Sequence, residues 1–196
     1  MASCGRIRRA RAARAGVSLV ELMIVLVVVG IMAAVATPRL RLSPRQRVSA
    51  AALALAADLE AARTRALAAR RHVRLTFDEP GGTYSGFMDT DGDSVFSLSA
   101  AEQDTLRTPK NRRLENGVEF GRGVAPAAPG DTGSTGAIVL DSLRLDIDSR
   151  GLPRPFGTRG VIYLRHPGDP TAVAAVTIRG GGAIRPWMYQ ANGTWR

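Results

Sequence analysis

Hydrophobic and polar positions divide the chain into three regimes. Residues 17–36, VSLVELMIVLVVVGIMAAVA, are apolar almost without a break. At 1.5 Å per residue a helix of that length covers about 30 Å, the thickness of a bilayer core. Beyond Pro38 and Pro44 the pattern changes: Val48, Ala52, Leu55, Leu59, Ala62 and Ala66 recur at spacings of four and three. That spacing makes one apolar face of an amphipathic helix, with Arg47, Asp58, Arg65 and Arg70 off it. The alanine-rich composition adds intrinsic helix propensity. If the helix continues through Pro38 with only a kink, residues 18–71 form a rod about 80 Å long.

After His72 the period becomes two. Residues 73–78, V-R-L-T-F-D, alternate, Pro80-Gly81-Gly82 supplies a turn, and residues 83–88 return, which predicts a β-hairpin. Further strands are expected at 118–120, 137–140, 143–147, 161–165, 172–178 and 184–189. Turn-rich stretches at 121–136, 166–170 and 180–182 separate them. Helix first and strands afterwards predict an α+β fold, a long N-terminal helix packed on a C-terminal antiparallel β-sheet. Aromatic residues make up only 5 % of the 196, so the core rests on Val, Leu, Ile and Ala.

Charge changes this picture only at the N-terminus. The formal net charge is +10, but Arg6, Arg8, Arg9, Arg11 and Arg14 all precede the apolar run, with no acid among residues 1–16. Without those five the rest holds 22 basic and 17 acidic residues, a net of +5 that does not by itself indicate nucleic acid. The one cysteine, Cys4, lies in the same segment, and no apolar run precedes it to make a lipoprotein site. A chain shortened after residue 16 has no thiol, which excludes disulfides, thiolate-bound metals and thiol catalysis.

A secretory signal peptide also pairs basic residues with an apolar stretch, but that stretch runs about 7–15 residues. Ala33, Ala34 and Ala36 keep a later cut open as the alternative. Glu21 separates the two readings. An acid at the bilayer centre costs on the order of 2.5–3.5 kcal/mol, less near the edge, and normally has a partner. The next basic residue on the far side is Arg39. A cut after Gly16 creates a charged α-amine on Val17, which can meet Glu21 of a neighbouring helix. The plainer alternative is an acid tolerated near the helix end.

The stretch RAGVSLVELMIVLVVVGIMAAVATP resembles the type IV prepilin N-terminus: a basic leader ending in glycine, a glutamate five residues after the cut, then a long apolar helix. Gly16, Glu21, the Gly30-Ile31 pair and Pro38 fall where that family places them, and Val17 replaces the usual phenylalanine. The resemblance implies cleavage between Gly16 and Val17 by prepilin peptidase, N-methylation of Val17, and an assembly role for Glu21. It implies a cleaved leader at 1–16, a transmembrane helix at 17–37, a periplasmic amphipathic helix at 38–72 and a β-rich periplasmic head at 73–196. Arginines flank the span on both sides, so the positive-inside rule barely favours a cytoplasmic N-terminus. The resemblance assigns a single-pass protein of the bacterial inner membrane, leader in the cytoplasm and head in the periplasm.

In the C-terminal half, the order of hairpin, Asp-rich loop, I-D-S-R-G-L-P and V-T-I-R-G-G-G-A-I-R resembles the GspH/FimT group. That group includes the minor pseudopilin H of type II secretion and the FimT-type minor pilins. The expected function is therefore a non-enzymatic subunit at the tip of a periplasmic pseudopilus that supports protein secretion. Its expected partners are other major and minor pseudopilins, the inner membrane and secreted substrates. A FimT-like minor pilin serving pilus assembly or DNA uptake is the alternative.

Two further clusters carry candidate chemistry. Asp89, Asp91 and Asp93 alternate as in the first part of a calcium loop. That loop wants glycine sixth and glutamate twelfth, where Ser94 and Ala100 stand, and Glu102 comes two residues late. A polar turn without cofactor is the expectation, with calcium as the alternative. Arg179 and Arg185, with Arg196, Arg107, Lys110, Arg112 and Arg113, offer positive charge for non-specific DNA contact. The group's G-R-x-R motif reads Gly182-Ala183-Ile184-Arg185 here, so its first arginine is missing and DNA is not expected. Enzymatic chemistry has no foothold, since His72 and His166 lack an acid at motif spacing. Trp187 and Tyr189 read as packing residues.

Overall fold

The computed structural model describes residues 18–36, 43–93, 95–96, 112–115, 117–131 and 133–196. It divides into two units, Met1–Arg41 and Leu42–Arg196. In the first, α1 (Leu19–Ala36) opens with the Leu22 N–H donating to the Ser18 carbonyl at 3.1 Å. Its 18 residues amount to about 27 Å. Among the described residues no helix is long and apolar enough to cross a membrane. Residues 17 and 37, which complete the expected span, lie outside the described ones, as does the stretch 37–42 that would decide whether the helix runs on.

The second unit begins with α2 (Pro44–Ala69), whose start is written in the sequence S-P-R-Q. Ser43 caps it: its hydroxyl accepts from the Gln46 N–H, the Gln46 side chain accepts from the Ser43 N–H, and Pro44 supplies a preset φ. The helix ends at Arg70, which takes a left-handed conformation and donates its N–H to the Leu67 carbonyl. All six residues of the expected apolar face are buried, and Ala51 and Ala56 join them.

Two antiparallel sheets pack around α2. The first has the order β3 (Arg112–Arg113), β2 (Thr83–Met88), β1 (Val73–Asp78), β6 (Arg144–Ile147), β7 (Pro153–Arg154). The second runs β10 (Ile184–Met188), β9 (Asp169–Ile178), β8 (Gly160–His166), β4 (Glu119–Phe120), with β5 (Ile138–Val139) also pairing β8. The expected hairpin forms in the register Val73↔Met88 to Asp78↔Thr83. The single expected sheet is thus two, because β6 returns beside β1 while β8 pairs with β9, β4 and β5. Strands β3 and β7 hold two residues each, too few for a period to show in sequence.

Burial explains the strand patterns. In β1, Val73, Leu75 and Phe77 point into the core shared with α2, and the intervening residues do not. Residues 160–164 of β8 and 172–178 of β9 are buried on both faces and so read as nearly continuous apolar runs. Ile162, Leu164, Ala174 and Val176 join the core around Leu55 and Leu59, whereas Val161, Tyr163, Val173 and Ala175 form a second cluster under Ala125 and Ala128.

Tyr163 ties that outer layer down. Its hydroxyl donates to Asp131 at 2.6 Å and accepts from the Ala128 N–H at 2.8 Å. Burial, and then the Asp131 carboxylate, push the phenol up to about 12, although the Ala128 N–H and Arg122 act the other way. The unfolded chain loses this proton above pH 10 and the folded chain keeps it until about 12, so this contribution is complete below pH 10 and disappears across that window. Urea midpoints should therefore fall between pH 10 and 12, and less steeply in Tyr163→Phe; identical slopes would refute the assignment. Tyr84, which donates to Asp58 at 2.5 Å, is raised in the same direction and supplies the remaining slope.

Candidate functional site

Over Leu19–Met32 apolar side chains lie on every side of α1, and all of these residues are exposed. A helix apolar all round is one that lipid or other helices surround. Glu21 is the exception and sits in the first turn, where the positive end of the helix dipole favours an acid. Among the described residues Glu21 has no salt-bridge partner. Gly16 and Val17 lie outside the described residues.

The structure brings Asp89, Asp91 and Asp93 together, with one carboxylate oxygen of each within 4.8 Å of the others. The loop uses those oxygens itself. Asp89 accepts from the Gly92 N–H at 2.6 Å, Asp91 from the Asp93 N–H at 3.2 Å and Asp93 from the Val95 N–H at 2.7 Å. The Asp93 N–H holds the Asp91 carboxyl below the usual carboxylate range. This is the bonding of a self-closed Asp turn. Ser94, Ala100 and Glu102 lie outside the described residues.

The sequence leaves His72 without an acid, yet the hairpin supplies one. Because Val73 pairs with Met88, residues 72 and 89 meet at the open end of the ladder. The Asp89 N–H donates to the His72 carbonyl at 3.0 Å, and the Asp89 carboxylate lies 4.0 Å from His72 Nδ1. Arg154 Nη1 stands 3.4 Å from the same ring nitrogen. Strand register was the missing signal, and the contacts fasten the Asp loop to β1. His166 Nδ1 accepts from the Gly168 N–H at 3.0 Å within its turn.

Arg185 pairs with Thr177 in the β9–β10 ladder, and Arg179 directly follows the end of β9, its N–H donating to the Ala183 carbonyl at 2.9 Å. Arg185 lies over the Trp187 ring at 4.4 Å, a cation–π contact, and Trp187 Nε1 donates to Thr177 at 3.0 Å. Tyr189 and Trp187 pack against the second cluster, as expected of packing residues.

The two C-terminal motifs meet in space. In I-D-S-R-G-L-P the buried Asp148 closes the β6–β7 turn, its Oδ1 accepting from the N–H groups of Arg150 and Leu152, both at 2.9 Å. Burial opposes its ionisation, but those N–H groups and the Arg150 guanidinium more than offset this and hold its carboxyl below the usual range. Arg63 of α2 donates to the Gly151 carbonyl at 3.0 Å. Gly182 of the G-G-G-A motif sits against that carbonyl, so closely that a Cβ there would lie 2.7 Å from it. The motifs fasten turn, helix and hairpin together; Arg63, which does the fastening, had no signal in the sequence.

Residues 11–37 match the family described as the prokaryotic N-terminal methylation motif. No protein of curated function matches the chain in sequence. Among solved structures the chain is similar to the minor pseudopilin EpsH from the type 2 secretion system of Vibrio cholerae, with a TM-score of 0.50 and 14 % identity over 76 % of this chain and 99 % of that one. The type IV minor pilin FimU of Pseudomonas aeruginosa also aligns, with a TM-score of 0.45 and 17 % identity over 78 % of this chain and 94 % of that one. In its N-terminal motif and in its fold, this chain is type IV pilin-like.

Proposed function

We propose that this chain is a minor pseudopilin of a type II secretion system, a structural subunit near the tip of a periplasmic pseudopilus. One observation carries the reading: a methylation motif at residues 11–37 heads a chain whose fold is that of EpsH. Prepilin peptidase removes the leader between Gly16 and Val17, Val17 is N-methylated, and residues 17–37 hold the protein in the inner membrane with the head in the periplasm. Glu21 then meets the α-amine of a neighbouring major or minor pseudopilin. Its exposure and lack of a salt-bridge partner among the described residues support that pairing. The role is mechanical, supporting the export of secreted substrates, and requires no catalytic group.

The test is Glu21→Ala in the native host. Membrane insertion should be unchanged, since losing an acid only lowers the cost of the span. Cross-linked capture with neighbouring subunits should fall by about tenfold, equivalent to losing one partly buried charge pair. Normal capture would break the link between Glu21 and assembly. Impaired pilus extension with intact secretion would move the chain to the pilus branch of the group.

A further inference from the structure

The segment before β8 and the turn before β10 enclose a cleft of about 580 Å³, a size typical of ligand sites. Ile178 and Thr177 of β9 line it, with Pro129 and Gly130 also in its wall. Both rims are fixed by their own hydrogen bonds. Thr158 donates its N–H and hydroxyl to the Pro155 carbonyl at 3.0 and 2.6 Å, and the Gly182 N–H donates to the Arg179 carbonyl at 2.7 Å. The rims touch backbone to backbone, for a Cβ on Gly180 would lie 2.8 Å from the Gly157 Cα.

Its chemistry is one-sided. Arg159 and Arg179 line the cleft and no acid does. Among the described residues neither guanidinium has a hydrogen bond or ion pair. At the lip stands Phe156, 79 % exposed, more so than any other large apolar side chain described, those of α1 included. It is also the one fully exposed aromatic ring among the described residues. Residues 144–196 hold eight arginines against three aspartates, so the surroundings attract anions as well.

We propose that this cleft docks an extended acidic segment of a partner protein, its carboxylates on Arg159 and Arg179 and an apolar side chain on Phe156. A guanidinium pairs a carboxylate through two parallel N–H donors, and arginines beside an aromatic anchor are the usual energetic centre of an interface. A small inorganic anion would leave the ring uncovered. Single-stranded nucleic acid is disfavoured because it takes successive aromatic platforms, whereas the cleft offers one, and Arg185 is already stacked on Trp187. The inference concerns the head alone and stands apart from the role of Glu21.

The test uses the full chain in detergent and a fluorescein-labelled peptide, Glu-Glu-Leu-Glu-Glu-Leu-Glu-Glu, followed by anisotropy at low and high salt. Saturable, salt-sensitive binding is expected. Arg159→Glu and Arg179→Glu should each weaken it by about tenfold, Phe156→Ser by about fivefold, and Arg113→Glu, remote from the cleft, by less than about twofold. With serine in place of both leucines the effect of Phe156→Ser should vanish. Circular dichroism checks folding, and where a glutamate variant unfolds, Arg159→Gln and Arg179→Gln carry the same test with about threefold losses. No binding at low salt, or an equal loss in Arg113→Glu, overturns the proposal. Tighter binding of an eight-nucleotide oligothymidine with the same dependence on the variants also overturns it, giving the cleft to nucleic acid.

Discussion

Gly16→Ala is expected to leave the 196-residue chain at full length in cells that hold prepilin peptidase, while the parent loses its first 16 residues. Glycine lets a peptidase approach the backbone without a Cβ in the way, and here it stands between a segment holding five arginines and twenty residues that are apolar almost throughout. Processing should slow by well over about tenfold, a loss read directly by intact mass. The consequence extends to assembly. Uncut, the chain has no α-amine at Val17, so Glu21 faces no charge of opposite sign from a like neighbour. Co-assembly should therefore fail in Gly16→Ala at least as severely as in Glu21→Ala, with insertion intact. A variant that still shortens after residue 16 would disprove the prepilin reading of the leader. Shortening near Ala33, Ala34 or Ala36 instead would reveal a secretory signal peptide.

What could be read in the sequence follows from how local each cause is. The apolar face of α2 was legible because every member of it is set by helical spacing, and all six of those positions are buried. The β1–β2 hairpin was legible because alternation and Pro80-Gly81-Gly82 are local signals, and its bounds match those of the structure. The split into two sheets was not, because it depends on which strand pairs with which, and even the nearest pairing of β1 with β6, Thr76↔Arg144, joins residues 68 apart in sequence. Continuous burial in β8 and β9 shows as an apolar run but does not say what covers the outer face; that cover is the segment around Ala125 and Ala128, anchored by Tyr163. Among candidate residues, the three aspartates fall together as their spacing suggests, while the pairing of His72 with Asp89 needed the register of the ladder. Arg63, Phe156 and Arg159 carried no periodic or motif signal, and only tertiary structure gives them neighbours.

Gly182→Ala should cost about 3 kcal/mol of stability, a large effect for a single methyl group on a turn. Two causes add. Gly182 has φ +81, a conformation that costs an L side chain on the order of 1 kcal/mol or more. The new methyl would also lie 2.7 Å from the Gly151 carbonyl oxygen and 3.1 Å from Arg63 Nε, so the backbone of the facing turn must yield. That carbonyl accepts from Arg63, and Gly151 itself lies within the turn that Asp148 closes, so the displacement strains the junction of α2 with both motifs. Arg63→Ala frees the carbonyl to move. The double variant should therefore lose less than the sum of the two single losses, by about 1 kcal/mol, as neighbours sharing one hydrogen bond do. Chemical denaturation of the parent, both single variants and the double variant measures all four corners. Strict additivity would mean that Gly182 acts through its own conformation and not through the helix. A loss below about 1 kcal/mol for Gly182→Ala would mean that the facing turn relaxes freely and that the meeting of the two motifs contributes little to the fold.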